Sequence, residues 1–374
     1  MNNAVYHRKE FLQLADLPPR LKSWAEDYEL ENYIKDEAFY QRPLAKNAPL
    51  LKSSKRVAVI GSGPAGLGCA DELVKLGAKV QIFERADKAG GLLIYGVPNL
   101  KLPKDLLAEK IAQLKAKGVK FTFDYELNSP EQFAALQKDF DAVVLCVGSR
   151  RPRQLPGITA DNKTIYNAAD FLTLMTKDMF AGGSEADLQG KDVVIIGGGD
   201  TGTDCAAIAF AQGASSIHQL EQQECGSSSS REDLCQLAVG DVTISYATRV
   251  KNVLRDESGS VSGVETVRVE WRSSAPGSLP QPHEIAGSEK TLPCQVLILA
   301  LGFTGPEQQM FDATGAAKAP LGTIAGDAYF TTSLPGVFAA GDARRGSGVV
   351  AWAFAEGRNA ATECAKWLNS QPEN

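Results

Sequence analysis

Arg56-Val57-Ala58-Val59-Ile60-Gly61-Ser62-Gly63-Pro64-Ala65-Gly66 decides the fold of this chain. Asp192-Val193-Val194-Ile195-Ile196-Gly197-Gly198-Gly199-Asp200-Thr201-Gly202 repeats the pattern. Each is an apolar, β-branched run that breaks into glycines and then into a helical spacing of apolar residues. The first glycine of such a loop makes the tight turn, and the second has no Cβ, so the backbone can approach a pyrophosphate. The third lets the helix pack close on the strand. The helix N-terminus then offers bare N–H groups and a partial positive charge to an anion. A chain with two dinucleotide loops brings two dinucleotides together, and the usual reason is to pass a hydride between them.

Downstream of the first loop, Leu67, Ala70 and Leu73 mark one face of a helix over 64–77, stopped by Gly77. A strand over 78–84 ends in Glu84, where a carboxylate can accept hydrogen bonds from adenosine ribose hydroxyls. A helix over 104–117 carries the stripe Leu107, Ile111 and Leu114, and a buried strand over 141–147 stops at Gly148. The second copy reads as a strand over 191–196, a helix over 201–212, a strand over 216–221 ending in Glu221, and a late strand over 295–301 stopped by Gly302. This predicts an α/β chain with two homologous Rossmann-like domains and parallel sheets. Alternation of Val250, Val253, Val261, Val264, Val267 and Val269 predicts a small antiparallel meander over 243–270. Residues 225–230 and 273–282 read as loops.

Glu221 favours a dinucleotide with both ribose hydroxyls free, because a carboxylate repels a 2′-phosphate. Residues 218–223 offer no Arg or Lys to hold that phosphate, so NADH is expected over NADPH. Near the C-terminus, a strand over 336–340 runs into Gly341-Asp342, and a helix is expected from about Val349 to Leu368. If this segment returns to the first domain, Asp342 can hydrogen-bond flavin ribitol hydroxyls. The helix then points its positive end at the isoalloxazine and favours the negative charge of reduced flavin.

The bulk numbers agree with such an enzyme. The 374 residues are 44% hydrophobic and 22% charged, enough for two or three domains with real cores. A net charge of −6 argues against nucleic acid or an anionic membrane as partner. The seven cysteines are odd in number and contain no C-x-x-C, so a disulfide framework is not expected and a reducing compartment is. With no basic-then-apolar signal region and no apolar run near the ~20 residues of a membrane span, a soluble cytoplasmic protein is expected. His7, His218 and His283 do not cluster at metal spacing, and no Ser/His/Asp set stands out. Neither a metal site nor a catalytic side chain is expected, because hydride transfer leaves the chemistry to the cofactors. A thioredoxin-reductase-like disulfide reductase is rejected, since no C-x-x-C lies near Cys205.

The chain resembles the small (beta) subunit family of glutamate synthase over about residues 50–370. The resemblance is carried by Val59-Ile60-Gly61-Ser62-Gly63-Pro64-Ala65-Gly66-Leu67, by Gly90-Gly91-Leu92-Leu93-Ile94-Tyr95-Gly96-Val97-Pro98 with Lys101-Leu102, and by Gly197-Gly198-Gly199-Asp200-Thr201-Gly202. Ala300-Leu301-Gly302-Phe303-Thr304-Gly305-Pro306-Glu307 and 336–346, with Trp352 and Ala355-Glu356-Gly357-Arg358, complete it. It implies a glutathione-reductase-like arrangement, with an NAD(P)H domain over 166–302 inserted in an FAD domain over 51–165 and 303–374. FAD would meet Gly61, Gly63, Pro64, Ala65, Gly66, Glu84, Arg85, Gly91, Leu92, Gly341, Asp342 and Val349. NADH, or NADPH, would meet Gly198, Gly199, Asp200, Thr201 and Glu221.

The family also carries an N-terminal domain whose two cysteine-rich motifs ligate [4Fe–4S] clusters. This chain has no cysteine before Cys69, so those clusters are not expected. Residues 1–50 resemble the two ends of that domain without its middle, and the stretch after Glu221 is shortened. An amphipathic helix over 20–35 is expected as an arm on its own domain rather than a partner-docking helix. The resulting expectation is an FAD-dependent oxidoreductase that takes hydride from NADH or NADPH and passes electrons to a glutamate synthase large subunit or another acceptor. A non-catalytic assembly or regulatory subunit is the alternative.

Overall fold

A computed structural model describes residues 30–35, 48–181, 188–224, 242–275 and 278–372. The loop expected over 225–230 and most of the helix expected over 20–35 lie outside them; Leu30–Lys35 is helical, with Leu30 and Ile34 buried.

The elements run β1 Arg56–Ile60, α1 Pro64–Lys75, β2 Lys79–Phe83, α2 Lys104–Ala116, β3 Lys120–Thr122, α3 Pro130–Asp139 and β4 Ala142–Leu145. There follow β5 Ile165–Asn167, α4 Ala168–Ala181, β6 Asp192–Ile196, α5 Asp200–Ala211, β7 Ser216–Leu220 and β8 Val242–Ser245. Then come β9 Thr248–Arg255, β10 Val261–Arg272, β11 Gln281–Glu284, β12 Lys290–Pro293 and β13 Val296–Leu299. The chain closes with α6 Gln308–Thr314, β14 Val337–Ala339 and α7 Val350–Ser370. Leu92–Tyr95 and Asp342–Arg345 are single helical turns.

The chain divides into two compact units. The first takes the described parts of Glu29–Ile94, Leu102–Arg153 and Gly302–Asn374. The second takes those of Tyr95–Lys101 and Gln154–Leu301. The upstream crossing lies at 153/154, and Leu155, Ile158 and Ala160 join an apolar cluster of the second unit.

In the first unit a parallel sheet has the order β14-β4-β1-β2-β3. The C-terminal segment therefore returns to it: β14 pairs with β4, and α7 packs along α1. Small residues permit that contact. A Cβ on Gly357 would stand 2.0 Å from the Ala65 carbonyl oxygen, and one on Gly68 2.8 Å from that of Phe354.

In the second unit the parallel order is β5-β13-β6-β7-β8. Alternate residues of its central strands feed different cores. Val193, Ile195, Val296 and Ile298 pack with α4 and α5. Val194, Ile196, Leu297 and Leu299 pack with Val261 and Val264 of the antiparallel strands. Both faces of the sheet are covered, as a continuous apolar run requires.

The meander expected over 243–270 is corrected at its start. Val242–Ser245 is a parallel edge strand beside β7, and the antiparallel set is β9, β10, β11 and β12. The loop expected over 273–282 gives way to β11 at Gln281. Short strands whose outward residues face solvent carry no period of their own; only the long partner, β10, defines them.

Candidate functional site: two glycine cradles

The two loops are built alike, each within its own unit. Gly61 has φ +98°, and a Cβ on it would lie 2.4 Å from the Cys146 carbonyl oxygen at the end of β4. Gly197 has φ +121° and would meet the Ala300 carbonyl oxygen, after β13, at 2.3 Å. At the third position, a Cβ on Gly66 would lie 1.9 Å from the Gly61 carbonyl oxygen, and one on Gly202 2.1 Å from that of Gly197. At the second position, Gly63 and Gly199, nothing lies within 4 Å of a built Cβ. Both are extended N-cap residues whose helices receive no side-chain cap bond. Each loop thus leaves room and bare N–H groups at a helix N-terminus, which suits a diphosphate.

The acidic strand ends match as well. Glu84 Oε2 accepts from the Ser62 N–H (2.9 Å) and hydroxyl, while Oε1 accepts from the Ala86 N–H (2.9 Å). Glu221 Oε2 accepts from the Gly198 N–H (2.7 Å), and Oε1 from the Gln223 N–H (2.8 Å). In both units the carboxylate clamps its glycine loop to the next strand, and its remaining lone pairs can take ribose hydroxyls.

Two further segments complete the first cradle. Gly91, at φ +54°, would place a Cβ 2.8 Å from Gly63 Cα, and the Gly90 N–H donates to Ser62 Oγ at 3.0 Å. Leu92 starts the helical turn that follows. Gly341, at φ +71°, brings a would-be Cβ to 2.6 Å from Ala65 Cβ, and its N–H donates to Glu356 Oε2 at 3.0 Å. Asp342 follows. Burial pushes its carboxyl up to about 6; the Gly348 N–H opposes that shift and the Glu356 charge adds to it. Glu356 is buried and holds Arg344 through Oε1 at 2.8 Å. Val349, the N-cap of α7, is exposed.

Arg85 is placed differently from its neighbours. Its Nη1 lies 2.5 Å from Glu307 Oε2 and 3.2 Å from Glu126 Oε1, so it ties the end of β2 to the start of α6. Pro64 and Ala65 form the first turn of α1; Asp200 and Thr201 form that of α5. Sequence reasoning placed Ser62 and Glu356 within the matching stretches but gave them no role, because a serine and a glutamate have no period or spacing that announces a fold-specific partner. It likewise gave no role to Lys101, which is buried beside Asp204 at 2.6 Å.

The model of the pyridine nucleotide-disulphide oxidoreductases matches residues 55–357.

The chain belongs to the pyridine nucleotide-disulphide oxidoreductase family.

Within that family it groups with the small chains of glutamate synthase. It is 35% identical to the glutamate synthase [NADPH] small chain of Bacillus subtilis, over 91% of this chain and 73% of that one. It is 37% identical to the glutamate synthase [NADH] of Schizosaccharomyces pombe, over 89% of this chain but only 17% of that one. Among solved structures, FprA of Mycobacterium tuberculosis in complex with NADPH aligns with TM-score 0.69 at 16% identity, covering 84% of this chain and 85% of that one. This last likeness concerns the fold.

Proposed function

We propose that this oxidoreductase is an FAD-dependent enzyme of the glutamate synthase small-subunit type. It binds FAD on the first unit and NAD(P)H on the second, and serves glutamate biosynthesis. One observation carries the reading: both units keep the same three-glycine contacts and the same carboxylate-to-loop bond, with open space at the second glycine only. A non-binding scaffold has no physical need for that space.

The proposed FAD set is Gly61, Gly63, Pro64, Ala65, Gly66, Glu84, Gly91, Leu92, Gly341, Asp342 and Val349. Arg85 acts through its ion pairs by holding the adenosine end in place. The proposed dinucleotide set is Gly198, Gly199, Asp200, Thr201 and Glu221. Bound FAD supplies two-electron acceptor chemistry. With the cofactors bound, the α1 and α5 N-termini would hold the diphosphates, Glu84 and Glu221 would take ribose hydroxyls, and Asp342 would take ribitol hydroxyls. The N-terminus of α7 would add positive potential for the negative charge of a reduced flavin.

Glu221 favours NADH by repelling a 2′-phosphate. The relatives' names include both NADPH and NADH enzymes, so this preference belongs to Glu221 itself rather than to the family. Electrons then leave for a glutamate synthase large subunit or another acceptor. The division into an FAD domain over 51–165 and 303–374 and an inserted NAD(P)H domain over 166–302 is part of the same proposal, as is a cytoplasmic location. Among the described residues, no helix is long and apolar enough to cross a membrane.

Anaerobic addition of NADH to the purified protein tests the reading. Yellow protein whose flavin absorbance bleaches supports it; colourless protein that does not respond after FAD loading overturns it.

A further inference from the structure

The stretch Tyr95–Lys101 packs in the second unit although the chain on either side of it belongs to the first. Leu100 lies against the cluster that α4, α5, β6 and β13 form. The Lys177 ammonium of α4 stands 5.6 Å from the Tyr95 ring centre. The last residue, Lys101, is 3% exposed, with its Nζ 2.6 Å from Asp204 Oδ1 in α5. Burial lowers the Lys101 pKa, while Asp204 and, less strongly, Asp200 act against that shift. The ammonium is therefore within electrostatic reach of the first turn of α5.

The charge at that helix end needs an explanation. α5 opens Asp200-Thr201-Gly202-Thr203-Asp204, with the Asp200 carboxylate in its first turn and Asp204 one turn further along. Carboxylates suit a helix N-terminus on their own, but they oppose a second anion there. Stability alone accounts poorly for the buried pair, because desolvating both charges offsets their attraction and apolar residues of similar size do as well.

We infer that Lys101 is a positioning residue for the nicotinamide dinucleotide: it neutralises Asp204 and fixes the first turns of α5, so that the helix N-terminus keeps its attraction for the diphosphate. The inference rests on reading 197–202 as the dinucleotide cradle. Lys101 comes from outside the strand–loop–helix unit it serves.

Steady-state kinetics of the FAD-loaded protein, with NADH as donor and ferricyanide as acceptor, test it. K101M should raise KM for NADH about ten-fold with kcat changed less than about two-fold, at unchanged FAD content. K101R should retain most of the wild-type KM. K101M/D204L, which leaves no carboxylate unpaired, should recover most of the loss. A wild-type KM in K101M, or a double variant as weak as K101M, overturns the inference. Should K101M fail to fold, K101Q decides: a raised KM for NADH at unchanged kcat supports the proposal, and a wild-type KM overturns it. A wild-type protein that NADH does not reduce would instead overturn the cradle reading itself.

Discussion

Gly63 and Gly66 are three residues apart and answer to different forces. Gly63 is extended, a conformation any residue adopts, and its Cβ would enter open space. Gly63→Val should therefore leave the melting temperature of the flavin-free protein nearly unchanged and abolish FAD retention, read as absorbance after gel filtration. Gly66→Ala drives a methyl into the Gly61 carbonyl and should cost about 2 kcal/mol or more of stability in denaturant titration. Glu221 permits a second comparison. Glu221→Gln keeps an acceptor for Gly198 and removes the charge, so the ratio of kcat/KM for NADH over NADPH should fall by about ten-fold; an unchanged ratio sinks the electrostatic account. Asp342 supplies a pH dependence. Its folded pKa of about 6 lies above that of an unfolded carboxyl, near ~3.9, so the folded state binds the proton more tightly. That contribution to stability is complete below pH ~4 and is lost as pH rises through about 6. With flavin removed, Asp342→Asn should stabilise the protein at pH 7 relative to wild type, and the gain should shrink toward pH 4 in melting experiments.

Among elements, the α1–α7 contact determines whether the C-terminal segment can serve the cradle at all. Gly357 touches the Ala65 carbonyl, and Gly341 touches the Ala65 methyl, so the loop's own helix is the floor on which Asp342 is set. Gly357→Val should push α7 away and lower both thermal stability and FAD retention, unlike Gly63→Val, which lowers retention alone. The capping of α3 gives a local control. Ser129 Oγ accepts from the Gln132 N–H at 3.3 Å while Gln132 Oε1 accepts from the Ser129 N–H at 3.2 Å. Ser129→Ala should cost about 1 kcal/mol with no change in KM for NADH, since α3 packs on β4 and α6 within the first unit. Helix starts of this kind were open to sequence reading at the loops, where glycine announces them. The cap at Ser129 needed only a Ser-x-x-Gln spacing.

At the scale of the whole molecule, each unit has its own sheet and its own apolar clusters. Ligands that bind one unit should stabilise that unit by mass action. Calorimetry should show FAD raising one transition and NAD⁺ raising another; a single transition moved equally by both would argue against separately stable units. Most of this plan was legible in the chain. The runs at 57–60 and 193–196 are apolar at every position because both faces of a parallel strand are buried, and the glycines that follow them directly, Gly61 and Gly197, mark turns with positive φ, so strand, loop and helix each left a local signature. The strand-end acids Glu84 and Glu221 were legible for the same reason, since they sit at a fixed spacing from the loops. What the tertiary structure alone decided is whatever depends on partners distant in sequence. Val242–Ser245 joins β7 in parallel although its alternation looks antiparallel, because an edge strand takes its direction from the neighbour it finds. Arg85 turns to Glu126 and Glu307, Ser62 links Glu84 to Gly90, and Lys101 buries its charge beside Asp204, a hundred residues on. Periodicity records which face of an element is apolar; it does not record which charge a folded chain will bring beside it.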